Sequence, residues 1–295
     1  MRVLRYMRGC LWSLLGFSAL GTLLLALFWV RTGRSDGTIT SAGERRTYLL
    51  HVPAGYDPTK PVPLVISIHG FAEWPAHLAD ISRWNDLADR HGFIVAYPAG
   101  TGFPRRWRAN GPPPATGLQD VTFIADLLDH LSAQYNLDAE RIYVNGFSNG
   151  GGMTYLLACR LADRIAAAGS VAGTYVYPLD ACQPARAVPF IAFHGTADPI
   201  VPYMGGPTRY FNLPAVPDWI AGWASRNGMG PTPEPLPASG AVSGVRYPGC
   251  RDGAEVVFYT IEGGGHAWPG SAPLPRFIVG HTPPEPNATE VMWAF

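Results

Sequence analysis

Residues 141–153 read RIYVNGFSNGGGM. Arg141-Ile142-Tyr143-Val144 is rich in β-branched and aromatic side chains and reads as a short buried strand. Gly146-Phe147-Ser148-Asn149-Gly150 then matches G-x-S-x-G, and an apolar run through Tyr155, Leu156 and Leu157 continues as a helix. Strand, tight turn and helix are the setting in which this pentapeptide becomes a nucleophile elbow, with the Ser148 hydroxyl exposed above the end of a sheet. Gly146 and Gly150 omit a Cβ where neighbouring backbone must pass closely. The first turn of the helix directs its free N–H groups to the place where negative charge would form. Glycine supplies 34 of 295 residues, so the pentapeptide alone competes with a chance match. The flanking strand and helix decide for the elbow.

Outward from the elbow, strands and helices alternate. Residues 63–68 are apolar on both faces, as a central parallel strand requires, and end in His69-Gly70-Phe71. Residues 93–97, 166–171, 188–193 and 255–261 read as further strands, and 47–52 as the strand that opens the domain. Helical spacing runs through 77–91, 121–135 and 218–227, with Asp120 and Asp218 in N-cap positions. Residues 100–117 and 228–249 are rich in Gly and Pro without a period and read as long loops. The pattern predicts an α/β fold: a doubly wound, mostly parallel sheet with helices on both faces, in a single domain over residues 35–295.

Residues 1–34 are set apart as a signal anchor or signal peptide. Arg2, Arg5 and Arg8 precede an uncharged, mostly apolar run over residues 11–30, long enough to cross a bilayer. No small-x-small cleavage site follows, which favours an uncleaved anchor with the body of the protein outside the cytoplasm. A membrane is then a partner only through this segment. The 22 basic and 22 acidic residues balance, which argues against nucleic acid as a partner. Cys10 lies ahead of the apolar run. No spacing of Cys159, Cys182 and Cys250 resembles a metal site. The helix after the elbow and the loop after the next strand should lie close together, which predicts a Cys159–Cys182 disulfide and leaves Cys250 unpaired.

A serine hydroxyl needs a histidine to take its proton, and the histidine needs a carboxylate to fix its tautomer. In the α/β-hydrolase fold these follow in the order Ser, acid, His, each just past a strand end. Asp198, beyond the strand 188–193, fits the acid, whereas Asp252 lies in a loop before its strand. His266, on the Gly-rich turn after 255–261, fits the base better than His281, which lies among prolines. His69 and His194 also sit at strand ends but in the wrong chain order, and read as hydrogen-bonded structural residues. The oxyanion hole is expected from the backbone N–H groups of Asn149 and Phe71.

His69-Gly70, GFSNGGG at 146–152, HGTADPIVPY at 194–203 and EGGGHAWPG at 262–270 together resemble the polyhydroxybutyrate depolymerase-like secreted esterases, a group that includes feruloyl and acetylxylan esterases. The resemblance covers roughly residues 40–295. It implies an α/β-hydrolase with a Ser148, Asp198, His266 triad that cleaves carboxylic esters through an acyl-enzyme, without a cofactor or metal. It also supports the 159–182 disulfide. The substrate it implies is a small or oligomeric ester, such as a short-chain, hydroxyalkanoate-oligomer, feruloyl or acetyl ester. Trp107, Trp268 and Tyr203, with Trp74, belong to loops able to rim the cleft as substrate-binding residues, the alternative being packing. Two departures stand out. Met229 occupies a place where relatives often carry a cysteine facing the equivalent of Cys250. The helix starting near Glu290 has only a few residues before Phe295, too short to be stable alone. Asn287-Ala288-Thr289 matches a glycosylation acceptor. A serine peptidase on the same fold and a non-catalytic envelope scaffold are the competing functions.

Overall fold

A computed structural model describes residues 33–109, 118–208, 211–229 and 232–295. The predicted N-terminal segment up to residue 32, with Cys10, and part of the predicted loop 100–117 lie outside the described residues. Among the described residues no helix is long and apolar enough to cross a membrane. Asp36–Phe295 forms one compact unit.

In chain order its strands are β1 (Gly37–Ser41), β2 (Glu44–His51), β3 (Val62–Ile68), β4 (Ile94–Pro98), β5 (Leu137–Phe147), β6 (Ala167–Val171), β7 (Phe190–Gly195), β8 (Gly206–Pro207), β9 (Asn212–Leu213), β10 (Glu234–Ser239), β11 (Val242–Tyr247) and β12 (Val256–Ile261). Its helices are α1 (Pro75–Ser82), α2 (Trp84–His91), α3 (Leu118–Ser132), α4 (Asn149–Arg160), α5 (Val216–Arg226), α6 (Arg276–Val279) and α7 (Ala288–Ala294). Ten strands form one sheet in the order β1-β2-β4-β3-β5-β6-β7-β12-β11-β10, while β8 and β9 pair separately. The six strands from β4 to β12 run parallel, and an antiparallel hairpin closes each edge.

Period-two alternation sorts the strand side chains between two cores. Leu64, Ile66 and Ile68 pack with α3, α4 and α5, while Val65 packs on the opposite face with α1, α2 and α7. The strand order reverses at β3, which lies between β4 and β5. A crevice for a ligand opens at such a switch point, beyond the strand C-termini.

Four local readings of the sequence change. The domain opens one strand earlier, because Ala42 and Gly43 take positive φ (48° and 78°) and fold β1 onto β2 in a two-residue hairpin. The helix expected over 77–91 breaks at Arg83 (φ 56°), and Trp84 turns inward to donate its indole N–H to Asn145 at 3.1 Å. The loop expected over 228–249 contains the β10–β11 hairpin; β10 lies at the sheet edge, where Pro235 and Pro237 cost no ladder bond. Asp218 lies in the first turn of α5, whose N-cap is Ala215.

Candidate active site

The elbow forms between β5 and α4, with Ser148 at φ 55°, ψ −118°, a conformation that non-glycine residues avoid. The glycines around it are sterically required. A Cβ on Gly146 would lie 2.3 Å from the Gly150 carbonyl oxygen, and one on Gly150 would lie 2.1 Å from that of Ile68. Ser148 is tied down through its backbone, donating to Val171 O and accepting from Thr174 N–H. Its side chain is free of those bonds and 8% of the residue stays exposed.

Asp198 follows β7 and His266 follows β12, and the parallel pairing of these strands brings the two loops together. His266 Nδ1 and Asp198 Oδ2 are 2.7 Å apart. The Ile200 and Val201 N–H groups donate to the other carboxylate oxygen, both at 2.8 Å. Burial alone would raise the Asp198 carboxyl. The hydrogen-bonded His266, then His194 and the Val201 N–H, outweigh it and hold Asp198 below the usual carboxylate range. The His266 ring packs 4.9 Å from that of Phe147, the residue before Ser148. These are the three residues that chain order singled out, gathered at one end of the sheet. His281 is exposed, and its carbonyl accepts the Gly265 N–H at 2.7 Å.

Asn149 is the first residue of α4, and its backbone N–H precedes the helical ladder. Its side chain is clamped, accepting from Trp107 N–H at 2.7 Å and donating to Trp107 O at 3.3 Å. The loop after β3 lies against the nucleophile: a Cβ on Gly70 would lie 3.2 Å from Ser148 Cβ. His69 braces that loop from below. Its Nε2 accepts the Gly100 N–H at 2.9 Å, so Nδ1 carries the proton donated to Gly70 O at 2.7 Å. Burial pushes this imidazole down to about 4. His194 is likewise buried, with its Nε2 2.9 Å from Val201 O and 3.5 Å from Asp198 Oδ2.

The expected aromatic rim is largely corrected. Trp107 and Trp268 are each 1% exposed and belong to the cores, because each indole N–H finds a buried acceptor. Trp107 donates to His69 O at 2.9 Å and Trp268 to Thr289 Oγ1 at 3.0 Å. Tyr203 is half-buried and its hydroxyl meets Thr260 Oγ1 at 2.8 Å. Asp120 is corrected too. It lies inside α3 and is fully buried, binding Arg46 Nη1 at 2.8 Å and Arg108 N–H at 2.7 Å. As a cap it would leave the buried Arg46 with only the more distant Glu44 carboxylate, 3.9 Å away, as counter-charge.

Glu73 escaped the sequence reading. Its Oε2 accepts the Gly70 N–H at 2.7 Å, directly beside Ser148. The only sequence signal was a carboxylate three residues past the histidine-glycine pair, in a turn with no period.

Cys159 and Cys182 form a disulfide, and Cys250 is free and buried. Burial raises the Cys250 thiol to about 11.

The parallel sheet, the reversal at β3 and the strained serine between strand and helix define an α/β-hydrolase. The model of the family described as Esterase PHB depolymerase matches residues 46–201. The chain belongs to this family of esterases. Feruloyl esterase B of Piromyces equi is 32% identical over 230 residues, which cover 75% of this chain. The chain spans only 42% of that relative's length. The putative esterase NocK of Nocardia uniformis subsp. tsuyamanensis is 30% identical over 279 residues, covering 84% of this chain and 79% of that protein. Among solved structures, an acetyl xylan esterase from Aspergillus awamori superposes with a TM-score of 0.60 at 18% identity, covering 78% of this chain and 93% of the other. At that identity the likeness is one of fold.

Proposed function

We propose that the protein is a serine esterase that hydrolyses small or oligomeric carboxylic esters through an acyl-enzyme. The observation that carries this reading is the strained Ser148 at the β5–α4 elbow beside a hydrogen-bonded Asp198–His266 pair. Asp198 holds His266 by Nδ1, which leaves Nε2 to accept the Ser148 proton. The Ser148 oxygen attacks the ester carbonyl, and the Asn149 and Phe71 N–H groups receive the charge on the carbonyl oxygen. Collapse of that intermediate releases the alcohol, which takes the proton back from His266. Water, deprotonated by the same histidine, then frees the acid and restores Ser148.

The relatives named feruloyl esterase support feruloyl esters as the substrate class. The disulfide supports a location outside the reducing cytoplasm, with residues 1–34 as the export or anchoring segment and 35–295 as the esterase domain. Hydrolysis of p-nitrophenyl acetate and methyl ferulate, wild type beside Ser148→Ala, tests the reading. The variant is expected to lose at least about a thousandfold in kcat and all labelling by a fluorophosphonate. A folded wild type that neither turns over these esters nor takes the label would overturn it.

A further inference from the structure

The strongly exposed large apolar side chains of the described residues are Phe71, Phe103, Leu118, Ile200, Met204, Phe277 and Ile278. All seven lie at one end of the molecule. Phe71 follows β3, Phe103 follows β4, Ile200 and Met204 follow β7, and Leu118 opens α3, which starts at the same end. Phe277 and Ile278 belong to α6, pinned to the His266 loop by a bond from His266 N–H to Val279 O at 2.6 Å. The Phe71 and Phe103 loops are also joined, by Ala72 N–H donating to Arg105 O at 2.8 Å. Phe103 and Phe277 are 93% and 91% exposed, tips with almost no contact to the protein. A soluble surface scatters such residues, whereas here they gather on segments at the C-terminal end of the parallel strands, the end that carries Ser148.

Apart from Glu73 in the Phe71 loop, which is mostly buried and held by the Gly70 N–H, the charge in these loops has one sign. Residues 99–109, 199–208 and 271–284 contain four arginines and no Asp or Glu, in a chain whose 22 basic and 22 acidic residues balance overall. Arg108 is taken by Glu44 at 2.8 Å. Arg106 and Arg276 are exposed with no carboxylate partner among the described residues and alternate with the apolar tips, while Arg105 is half-buried and its charge reaches the buried His69. Aromatic tips interleaved with unpaired arginines fit a boundary between acyl chains and anionic headgroups.

We propose that this rim is an interfacial docking surface that seats the Ser148 site on a lipid layer bearing anionic headgroups. It rests on the esterase reading for its purpose, which is to present esters held at that boundary to the serine.

The apolar run over residues 11–30 would itself bind lipid, so the readout must come from the rim. In the full chain, Phe103→Trp and Phe277→Trp place a reporter at each tip. Each is mixed with vesicles of phosphatidylcholine and phosphatidylglycerol whose acyl chains are brominated. We expect the added tryptophan to be quenched beyond the wild-type background. Replacing Arg106 and Arg276 by Gln should weaken this partitioning about fivefold per charge. The same measurement on Ser148→Ala variants keeps the result independent of ester hydrolysis. Tips left unquenched, or quenched equally on phosphatidylcholine alone, would overturn the proposal. So would Phe103→Ser and Phe277→Ser abolishing adsorption to a polyester film while the tips stay unquenched on vesicles, which would make an apolar polymer the occupant.

Discussion

Glu73 brings a carboxylate next to Ser148, where the proposed reaction would gather negative charge. Its compensation is geometric, since Oε2 holds the Gly70 N–H at 2.7 Å and closes a turn in which Ala72 takes φ 59°. The Phe71 N–H follows in that turn, so the grip on Gly70 sets where it points. Glu73→Gln keeps an acceptor for Gly70 and removes the charge, and should retain kcat or raise it. Glu73→Ala leaves the turn unheld and should lower kcat by about ten- to a hundredfold with KM little changed, the size expected for a misdirected oxyanion donor. Equal losses in both variants would refute the geometric role. His69, on the same loop, links the site to pH. Its folded value near 4 lies below the ordinary 6.5, so between these values the unfolded chain binds a proton that the folded chain refuses. Stability should therefore fall as pH drops through that window, by up to about 3 kcal/mol from this residue. Urea midpoints across the window check it, and a flat profile would refute it. The candidate Ser148, Asp198 and His266 could be picked out because chain order and strand ends restrict the choice to a few positions, and the structure pairs His266 with Asp198. Glu73, Trp107 and Asp120 were not, because their partners are fixed by loop conformation or lie far away in sequence.

At the scale of elements, β2, α3 and the loop after β4 are held by one buried ion pair. Arg46 and Asp120 are 74 positions apart and both are shielded from solvent. The guanidinium also donates to Ala99 O at 3.2 Å and lies 4.0 Å over the Phe123 ring. Removing the carboxylate leaves the buried arginine with only the half-exposed Glu44 at 3.9 Å and the Ala99 carbonyl. Asp120→Ala should cost about 3–5 kcal/mol, read from denaturant midpoints, whereas an exposed pair such as Arg83–Asp86 should be worth under about 1 kcal/mol. A loss near zero for Asp120→Ala would mean that the charge is satisfied elsewhere. The parallel strands β3, β5 and β7 were readable because continuous apolar runs mark strands covered on both faces. The β10–β11 hairpin was not, since its prolines and glycines mimic a loop and only its place at the sheet edge permits them.

Across the whole molecule, the short C-terminal helix is where the isolated-helix argument fails. Seven residues cannot hold a helix alone, yet α7 is docked on the second core. Trp293 stacks on Phe93 with centroids 4.1 Å apart, Glu290 pairs with Arg90, and Asn287 caps the helix through the Glu290 N–H at 3.3 Å. The Asn287-Ala288-Thr289 match is thereby put to structural use: Asn287 is the cap, and the buried Thr289 accepts from the Trp268 indole and donates to Ser82 O. One hydroxyl thus fastens the loop that carries His266 to α7 and to the end of α1, all within the second core. Thr289→Val preserves shape and strands both partners, a buried indole donor and a backbone acceptor. The expected cost is about 1–3 kcal/mol in global stability, with a single unfolding transition retained. Because Asp198 and the Val279 carbonyl still hold the His266 loop, ester turnover per folded molecule should be unchanged. A drop in kcat without a shift in the unfolding midpoint would instead make Thr289 a positioning residue for the histidine.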